Sequence, residues 1–519
     1  MLTKSDLASF RQCPRKLWLE HNRPDLIPQN DLPLWRRAND GNIVGAKARE
    51  LLGPNVIWPQ GETNPAAAAA SALAQLSASP NQPAVEVPMF RDGLYARADA
   101  LIPSPAGGYV LRETKASTYP LKPDKVNPGN PEKHHLDDVA IQSWVYQATG
   151  LPLAGAELNL LNDRWRYPGN DDYSGLFRQL SVIADIAGRI TEVPKWHTAA
   201  QHVLAGVMPA IQTGPQCSKP YACAFHDHCT TLDVPGPEHP LTLLPGIGGK
   251  STARKLNQQR GYTALHEPQP SEFTGDDAGL YCRMQTAHRT GLPVLEPGSA
   301  APLTGLPYPR YYFDFEGIDP PVPRWVGARP YEQIPFQWSC HIERTPGVFE
   351  HVEFLDLSGN DPSIRCIERM IEAIPPNGPG PIFVYYETYE AGRLRELADR
   401  HSQYRMQVDQ YLGRLFDLHP IVRDNYYHPA MRGSFSIKAV LPTIAPDLDY
   451  KNLDVVADGT GAQVAYLYAA LDPQTTPARK AELRDHLLIY CKLDTRAMVE
   501  VAYFLQRLSC VGLVVARSC

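Results

Sequence analysis

The 519-residue chain has no uninterrupted apolar run of membrane-spanning length, and its opening Met1-Leu2-Thr3-Lys4-Ser5-Asp6 has no apolar signal core. Those absences argue against a membrane span and a secretory leader, and make the cytoplasm the expected compartment. Nor is there an excess of base. Lys and Arg number 50 against 56 Asp and Glu, a net charge of −6, so a nucleic-acid partner has to be recognised by local patches rather than by global charge. Ten cysteines in a chain of this size are too few for a compact secreted disulfide framework; a cluster among them points to metal. Low complexity is confined to residues 66–70, part of an expected alanine-rich helix running to about residue 78.

What is present is enough chain for two or three domains, each with its own core. Several of the 50 prolines fall in connectors, Pro235-Gly236-Pro237 and Pro297-Gly298-Ser299-Ala300-Ala301-Pro302. These divide the chain into residues 1–235, 236–300 and 305–519, with α/β architecture expected in the two large parts and a small helical module between.

The most informative stretch is Tyr311-Tyr312-Phe313-Asp314-Phe315-Glu316-Gly317. Its apolar run reads as a buried strand, on which Asp314 and Glu316 share one face because strand side chains alternate. Alone, a D-x-E pair is an ordinary solvated strand face. At the end of a core strand the two carboxylates repel each other unless a cation sits between them. Far downstream, Tyr490-Cys491-Lys492-Leu493-Asp494 lies in a helical pattern that puts Tyr490 and Asp494 one turn apart. Between them, Val384-Tyr385-Tyr386-Glu387-Thr388-Tyr389-Glu390 is a second strand entering a helix, with Glu390 at the helix start.

A D-x-E strand, an acid at a strand-to-helix junction and a late Y-x3-D helix, in that order, resemble the DEDD exonucleases of the RNase H-like fold, in the subtype with tyrosine in its third motif. The resemblance spans roughly residues 306–508 and takes in Arg414-Leu415-Phe416-Asp417-Leu418 and Gly433-Ser434-Phe435-Ser436-Ile437-Lys438. It implies two divalent ions, Mg²⁺ or Mn²⁺, held by Asp314, Glu316, Glu390 and Asp494, with Tyr490 orienting the attacking water. Glu390 stands where that family has aspartate, a longer arm that alters metal spacing or preference.

In the first 235 residues, Cys217, Cys223 and Cys229 fall as C-x5-C-x5-C in a polar, proline-broken loop, and Cys13 precedes Pro14 after a short helical pattern. Four thiolates suit an iron–sulfur cluster and structural zinc alike, and His226 and His228 are alternative zinc ligands. Between the cysteine blocks, residues 86–90, 93–101 and 108–115 read as three strands. Asp99, Glu113 and Lys115 on them offer two carboxylates for a divalent ion and a lysine to polarise water or phosphate. A helix expected over 137–149 places Gln142 and Tyr146 one turn apart.

Asp99, E-x-K and Q-x3-Y bracketed by four cysteines resemble the RecB-like group of PD-(D/E)XK nucleases. That likeness implies a nuclease site at Asp99, Glu113, Lys115, Gln142 and Tyr146, and a [4Fe–4S] cluster on Cys13, Cys217, Cys223 and Cys229. The histidine ligand which that group carries on an early helix is missing from residues 39–49; Gly45 or Ala46 occupies its place, with Glu86 or Glu50 as the candidate substitute.

The middle segment, Leu244-Pro245-Gly246-Ile247-Gly248-Gly249-Lys250, followed by a helix with Ala253 and Leu256 inward, resembles a helix-hairpin-helix. Gly246 and Gly248 let backbone N–H groups approach a DNA phosphate at a helix N-terminus, and Lys250 adds charge. The whole order resembles a bacterial family joining a RecB-type domain to a DEDD-type exonuclease. Three functions follow: a metal-dependent DNA nuclease in repair or defence, an RNA-processing exonuclease, and a DNA-binding protein with a degenerate N-terminal site.

Overall fold

The protein is described by a computed structural model covering residues 1–28, 31–60, 62–122, 128–448, 450, 456 and 458–506. It is a mixed α/β protein of two compact units, Met1–Val234 with Asp319–Glu332, and Pro235–Ile318 with Gln333–Cys519. Among the described residues no helix is long and apolar enough to cross a membrane.

The first unit opens with strand β1 (Leu2–Thr3) and helix α1 (Lys4–Gln12). The turn into α1 is sealed by a reciprocal cap: Thr3 Oγ1 accepts from the Asp6 N–H at 3.2 Å, and Asp6 Oδ2 accepts from the Thr3 N–H at 2.7 Å. Cys13 then ends α1 and starts α2 (Pro14–Asn22), whose first residue is a proline that needs no N–H partner. Helices α3 (Leu32–Glu50) and α4 (Pro65–Ala78) lead to a meander of β2 (Ala84–Arg91), β3 (Leu94–Pro103) and β4 (Tyr109–Thr118). Helix α5 (Lys133–Gln147) crosses to β5 (Leu153–Leu161), which runs parallel to β4 and is followed by β6 (Phe177–Ser181). Leu136, Val139, Ala140, Ile141 and Val145 spread around the circumference of α5, so it is buried on all sides. The sheet order is β1-β3-β4-β5-β6, with β2 also on β3. Helices α6 (Ile183–Ile190), α7 (Val193–Ala205) and α8 (His226–Leu232) complete the unit. The excursion Asp319–Glu332 joins it, its Tyr331 hydroxyl donating to the Ala116 carbonyl at 2.7 Å.

The second unit begins with α9 (Gly246–Arg260), α10 (Ala278–Thr290) and β7 (Val294–Leu295). Its main sheet contains β8 (Arg310–Ile318), β9 (Ile334–Thr345), β10 (Val348–Leu355), then, after α11 (Ser363–Ala373), β11 (Ile382–Val384), and after α12 (Glu387–Arg400) and α13 (Arg405–Leu412), β12 (Leu415–Asp417). The order is β10-β9-β8-β11-β12: an antiparallel trio, then two strands parallel to β8. Helix α14 (Leu418–Asn425), strand β13 (Tyr426–Tyr427), α15 (Ile437–Ile444), α16 (Gly459–Tyr466) and the 30-residue α17 (Pro477–Gln506) follow.

Alternation along β8 divides the core. Tyr311, Phe313 and Phe315 pack with Trp338, Met370 and Leu394 on one face, while Tyr312 on the other packs with Phe383 and with Met498 and Val501 of α17. That second cluster also includes Leu244, Leu256 and Leu265, so the segment after Pro235 folds onto the second unit. Full burial of each such aliphatic side chain stabilises by roughly 1.5–3 kcal/mol.

Candidate functional sites

The residues on the α17 face of β8 come together. Asp314 and Glu316 project there, and α17 brings in Asp494 with Tyr490 one turn earlier. Asp314, Glu316 and Asp494 each present a ligand oxygen within 4.8 Å of the others, the one such acidic or His/Cys group among the described residues. Burial pushes the Asp314 and Glu316 carboxyls well above the ordinary range, and neighbouring carboxylates push further; Asp494 is raised too, chiefly by burial. Tyr450 donates to Asp494 Oδ1 at 2.5 Å, and the Cys491 thiol approaches Asp314 Oδ2 at 3.8 Å. Lys438 on α15 donates to the Tyr490 hydroxyl at 3.0 Å.

Glu390 reaches the same cavity, of about 410 Å³, from the first turn of α12. The parallel pairing of β8 and β11 brings the carboxyl ends of both strands to one edge, and α12 starts there. The turn between is tight: Tyr386 has φ +87°, a conformation a bulky side chain resists. Asp417 at the end of β12 holds it, its Oδ1 accepting from the Tyr386 N–H at 2.9 Å and its Oδ2 from the Glu387 N–H at 3.0 Å. Glu390 is buried, with Oε2 lacking a hydrogen-bond partner. Burial and Asp314 raise its carboxyl well above the ordinary range. It stands outside the tight trio, on the wall of the shared cavity.

In the first unit, Asp99 on β3 and Glu113 and Lys115 on β4 meet across an antiparallel pair. Asp99 Oδ2 accepts from the Thr114 N–H at 2.7 Å; burial and Glu113 push the Asp99 carboxyl up to about 7. Lys115 donates to Glu113 Oε1 at 2.9 Å and to Asp138 on α5. Lys4, the first residue of α1, donates to the same Glu113 Oε1 at 2.7 Å and lies 3.7 Å from Asp138 Oδ2. Burial raises the Glu113 carboxyl, but Lys115 and Lys4 outweigh it and hold it below the ordinary value.

Gln142 and Tyr146 divide. Gln142 donates to Glu113 Oε2 at 2.7 Å, whereas Tyr146 accepts from the Ala98 N–H at 2.9 Å and donates to the Val87 carbonyl, clamping β2 and β3 rather than facing the carboxylates. The two candidate stand-ins for the missing histidine are engaged elsewhere. Glu86 is held by Arg49 at 2.6 Å and Arg97 at 2.9 Å, and Glu50 pairs with Lys47 at 2.8 Å. Beside the carboxylates lies a cavity of about 1000 Å³ reached by Lys16, Lys133, Lys219 and His134.

Cys13, Cys217, Cys223 and Cys229 line one small cavity, although 204 residues separate the first two. Burial raises the Cys223 and Cys229 thiols. His226 also reaches this cavity but is paired with Asp227 at 3.2 Å. Four converging thiols fit an all-thiolate group.

At the hairpin, Gly246 has φ +68° and opens α9, Ile247 is 87% exposed, and Lys250 is on the surface. A Cβ at Gly249 would lie 2.5 Å from the Leu244 carbonyl carbon, so the turn requires glycine there. The element before the turn is a single 3₁₀ turn, Leu241–Leu243, in place of a full helix.

Four participants escaped the sequence reading. Asp138 had a usable signal, lying one helical turn before Gln142 in the same row as Tyr146. Lys438 ends the Gly433-Ser434-Phe435-Ser436-Ile437-Lys438 stretch, where nothing local gives it a role. Lys4 and Tyr450 carry no local signal, because their partners are 109 and 44 residues away.

Comparison with known proteins gives little beyond this. A family model described as "Domain of unknown function (DUF2779)" matches residues 311–436, from β8 to the loop before α15. An uncharacterized protein of Ureaplasma parvum is 25% identical over 218 residues, 38% of this chain and 31% of that protein. The chain therefore spans about a third of that relative's length. The crystal structure of SSO0001 matches at 14% identity over 45% of this chain and 87% of that one, with a TM-score of 0.22, at which the likeness carries no argument.

Proposed function

We propose that the protein is a metal-dependent nuclease, with a 3′–5′ exonuclease site for DNA in the second unit, built on an RNase H-like sheet. The observation that carries this is the convergence of Asp314, Glu316 and Asp494 within 4.8 Å in a buried setting, with Glu390 on the same cavity. Carboxylates so crowded need a cation, and the all-oxygen donor set together with the unpartnered Glu390 Oε2 fits Mg²⁺ or Mn²⁺. Bound there, two such ions supply an activated water and neutralise charge at the leaving oxygen. The chain's own part is positional. Asp314 and Glu316 are fixed by the β8 pairing, Asp494 is oriented by Tyr450, and the Tyr490 hydroxyl is held by Lys438 at the cavity, where it can align a water. Strand order β10-β9-β8-β11-β12 supports the RNase H-like reading. In the first unit, β2 to β5 with α5 between support a PD-(D/E)XK-type core, and the four cysteines a [4Fe–4S] cluster that braces it.

The test is digestion of 5′-labelled single-stranded and duplex DNA, and of RNA, with Mg²⁺ or Mn²⁺. A ladder shortening from the 3′ end, abolished by EDTA and by Asp314→Asn, is the expected result. A ladder on RNA alone would favour the RNA-processing alternative. One that persists in Asp314→Asn would place the chemistry elsewhere.

A further inference from the structure

The two acidic sites of this chain differ in their charge balance. Four carboxylates (Asp314, Glu316, Glu390 and Asp494) face the cavity of the second unit, with Lys438 the one cationic side chain among the described residues that line it. In the first unit Glu113 and Asp138 are paired with two half-buried ammonium groups, those of Lys4 and Lys115, and Asp99 on the neighbouring strand accepts from the Thr114 N–H beside Glu113. Lys115 belongs to the E-x-K pattern. Lys4 belongs to no motif, yet it makes the shorter contact to Glu113.

Lys4 is also firmly placed. Leu2 and Thr3 pair in parallel with Leu94 and Tyr95 at the start of β3, the strand that carries Asp99. The Thr3–Asp6 cap then fixes the first turn of α1, so the chain delivers residue 4 to the carboxylates with little freedom. At the other end of α1, Arg11 pairs with Asp137 at 3.1 Å and Gln12 donates to the Gln216 and Tyr221 carbonyls at 2.9 and 2.8 Å, so α1 is tied at both ends.

A divalent ion at Asp99 and Glu113 would compete directly with this ammonium for Glu113 Oε1. The candidates for a third ligand are otherwise engaged. Asp138 is held by Lys115, and Asp99, Glu113 and Asp138, unlike the second-unit trio, do not all come within 4.8 Å of one another. Residues 39–49 contain no histidine, and Glu86 is neutralised by Arg49 and Arg97. The residues present therefore do not fit a resident divalent ion. We propose that Lys4 is a built-in counter-cation that takes the place of a divalent metal in the first unit, leaving that site metal-poor while the second unit holds the metal. The inference rests on the nuclease reading only for the second half of that contrast.

The test is Mn²⁺ titration of the full-length protein, read by the electron paramagnetic resonance signal of free Mn²⁺. Asp314→Asn/Asp494→Asn removes the second-unit site, and comparison with the unsubstituted chain tests that site independently. In the doubly substituted background we expect little binding with Lys4 in place. Lys4→Met or Lys4→Gln should tighten it by about tenfold or more, because a unit charge a few Å from the ion is removed, whereas Lys4→Arg should not. Melting curves in EDTA establish that each variant is folded, and the second neutral variant serves if one is not. Tight binding in the doubly substituted protein that is lost on adding Asp99→Asn would overturn the proposal without any Lys4 variant. So would folded Lys4→Met and Lys4→Gln proteins that bind no better.

Discussion

The ammonium of Lys438 donates to the hydroxyl of Tyr490 at 3.0 Å and lies 4.9 Å from the centre of its ring. It thereby fixes the Tyr490 hydroxyl over the cavity that Asp314, Glu316, Glu390 and Asp494 also line. A tyrosine so held is oriented by a charge from another helix, not by its own backbone alone.

If that orientation serves catalysis, Tyr490→Phe and Lys438→Met should each slow cleavage by about a hundredfold, the scale of a small misplacement in a site. The two losses should not add, since both act on one hydroxyl. Mn²⁺ affinity of Tyr490→Phe should change far less than turnover. Additive losses, measured in single-turnover digestion, would separate the two residues.

Asp314 also sets a trade between stability and function. Its carboxyl, like those of Glu316 and Glu390, titrates well above its unfolded value, because burial and neighbouring acids disfavour the ionised form. Its stabilising contribution is thus full below the unfolded carboxylate pKa of about 4 and is lost as pH rises through the higher native value. In EDTA the melting temperature should fall as pH rises from about 5 to 8. Asp314→Asn should flatten that fall and melt about 2–4 °C higher at neutral pH, while losing activity. Mn²⁺ should raise the melting point of the unsubstituted protein and leave the variant nearly unmoved.

Asp417 accepts two N–H groups at the start of the helix that carries Glu390. Asp417→Ala should cost about 1–2 kcal/mol in denaturant unfolding, as the loss of a helix cap does. It should also lower activity through Glu390, although Asp417 itself lies outside the cavity lining. Unchanged activity with lowered stability would limit Asp417 to a structural role.

The four convergent cysteines predict a brown protein after anaerobic purification, with about four irons per chain. Replacing Cys13 or Cys229 with Ser should bleach it. Stoichiometric zinc without iron would instead assign the site to structural zinc.

At the hairpin, Lys250→Ala should weaken duplex binding equally for all sequences and reduce the salt dependence of binding by about one counterion. A loss of sequence preference in place of a uniform loss would contradict backbone recognition.

Local periodicity made half of each site legible. Alternation along a strand put Asp314 and Glu316 on one face, a four-residue helical step joined Tyr490 to Asp494, and a short apolar run ending in helix placed Glu390 at a junction. Those relations hold whatever the rest of the chain does, because they follow from backbone geometry over a few residues. The first-unit strands near 86–115 were readable for the same reason, although the helix expected over 137–149 begins at Lys133. What the sequence could not show is which distant cations and hydroxyls complete the sites. Lys4 reaches Glu113, Tyr450 reaches Asp494, and Asp319–Glu332 leaves the second unit to pack with the first. Such pairings depend on how sheets and helices stack once their apolar faces are buried. That stacking is the sum of many weak, non-directional contacts with no fixed spacing along the chain. The sequence alone singled out Asp314, Glu316, Glu390 and Asp494 in one site and Asp99 and Glu113 in the other; only the tertiary structure added Asp138 and decided which acids already have a lysine for a partner.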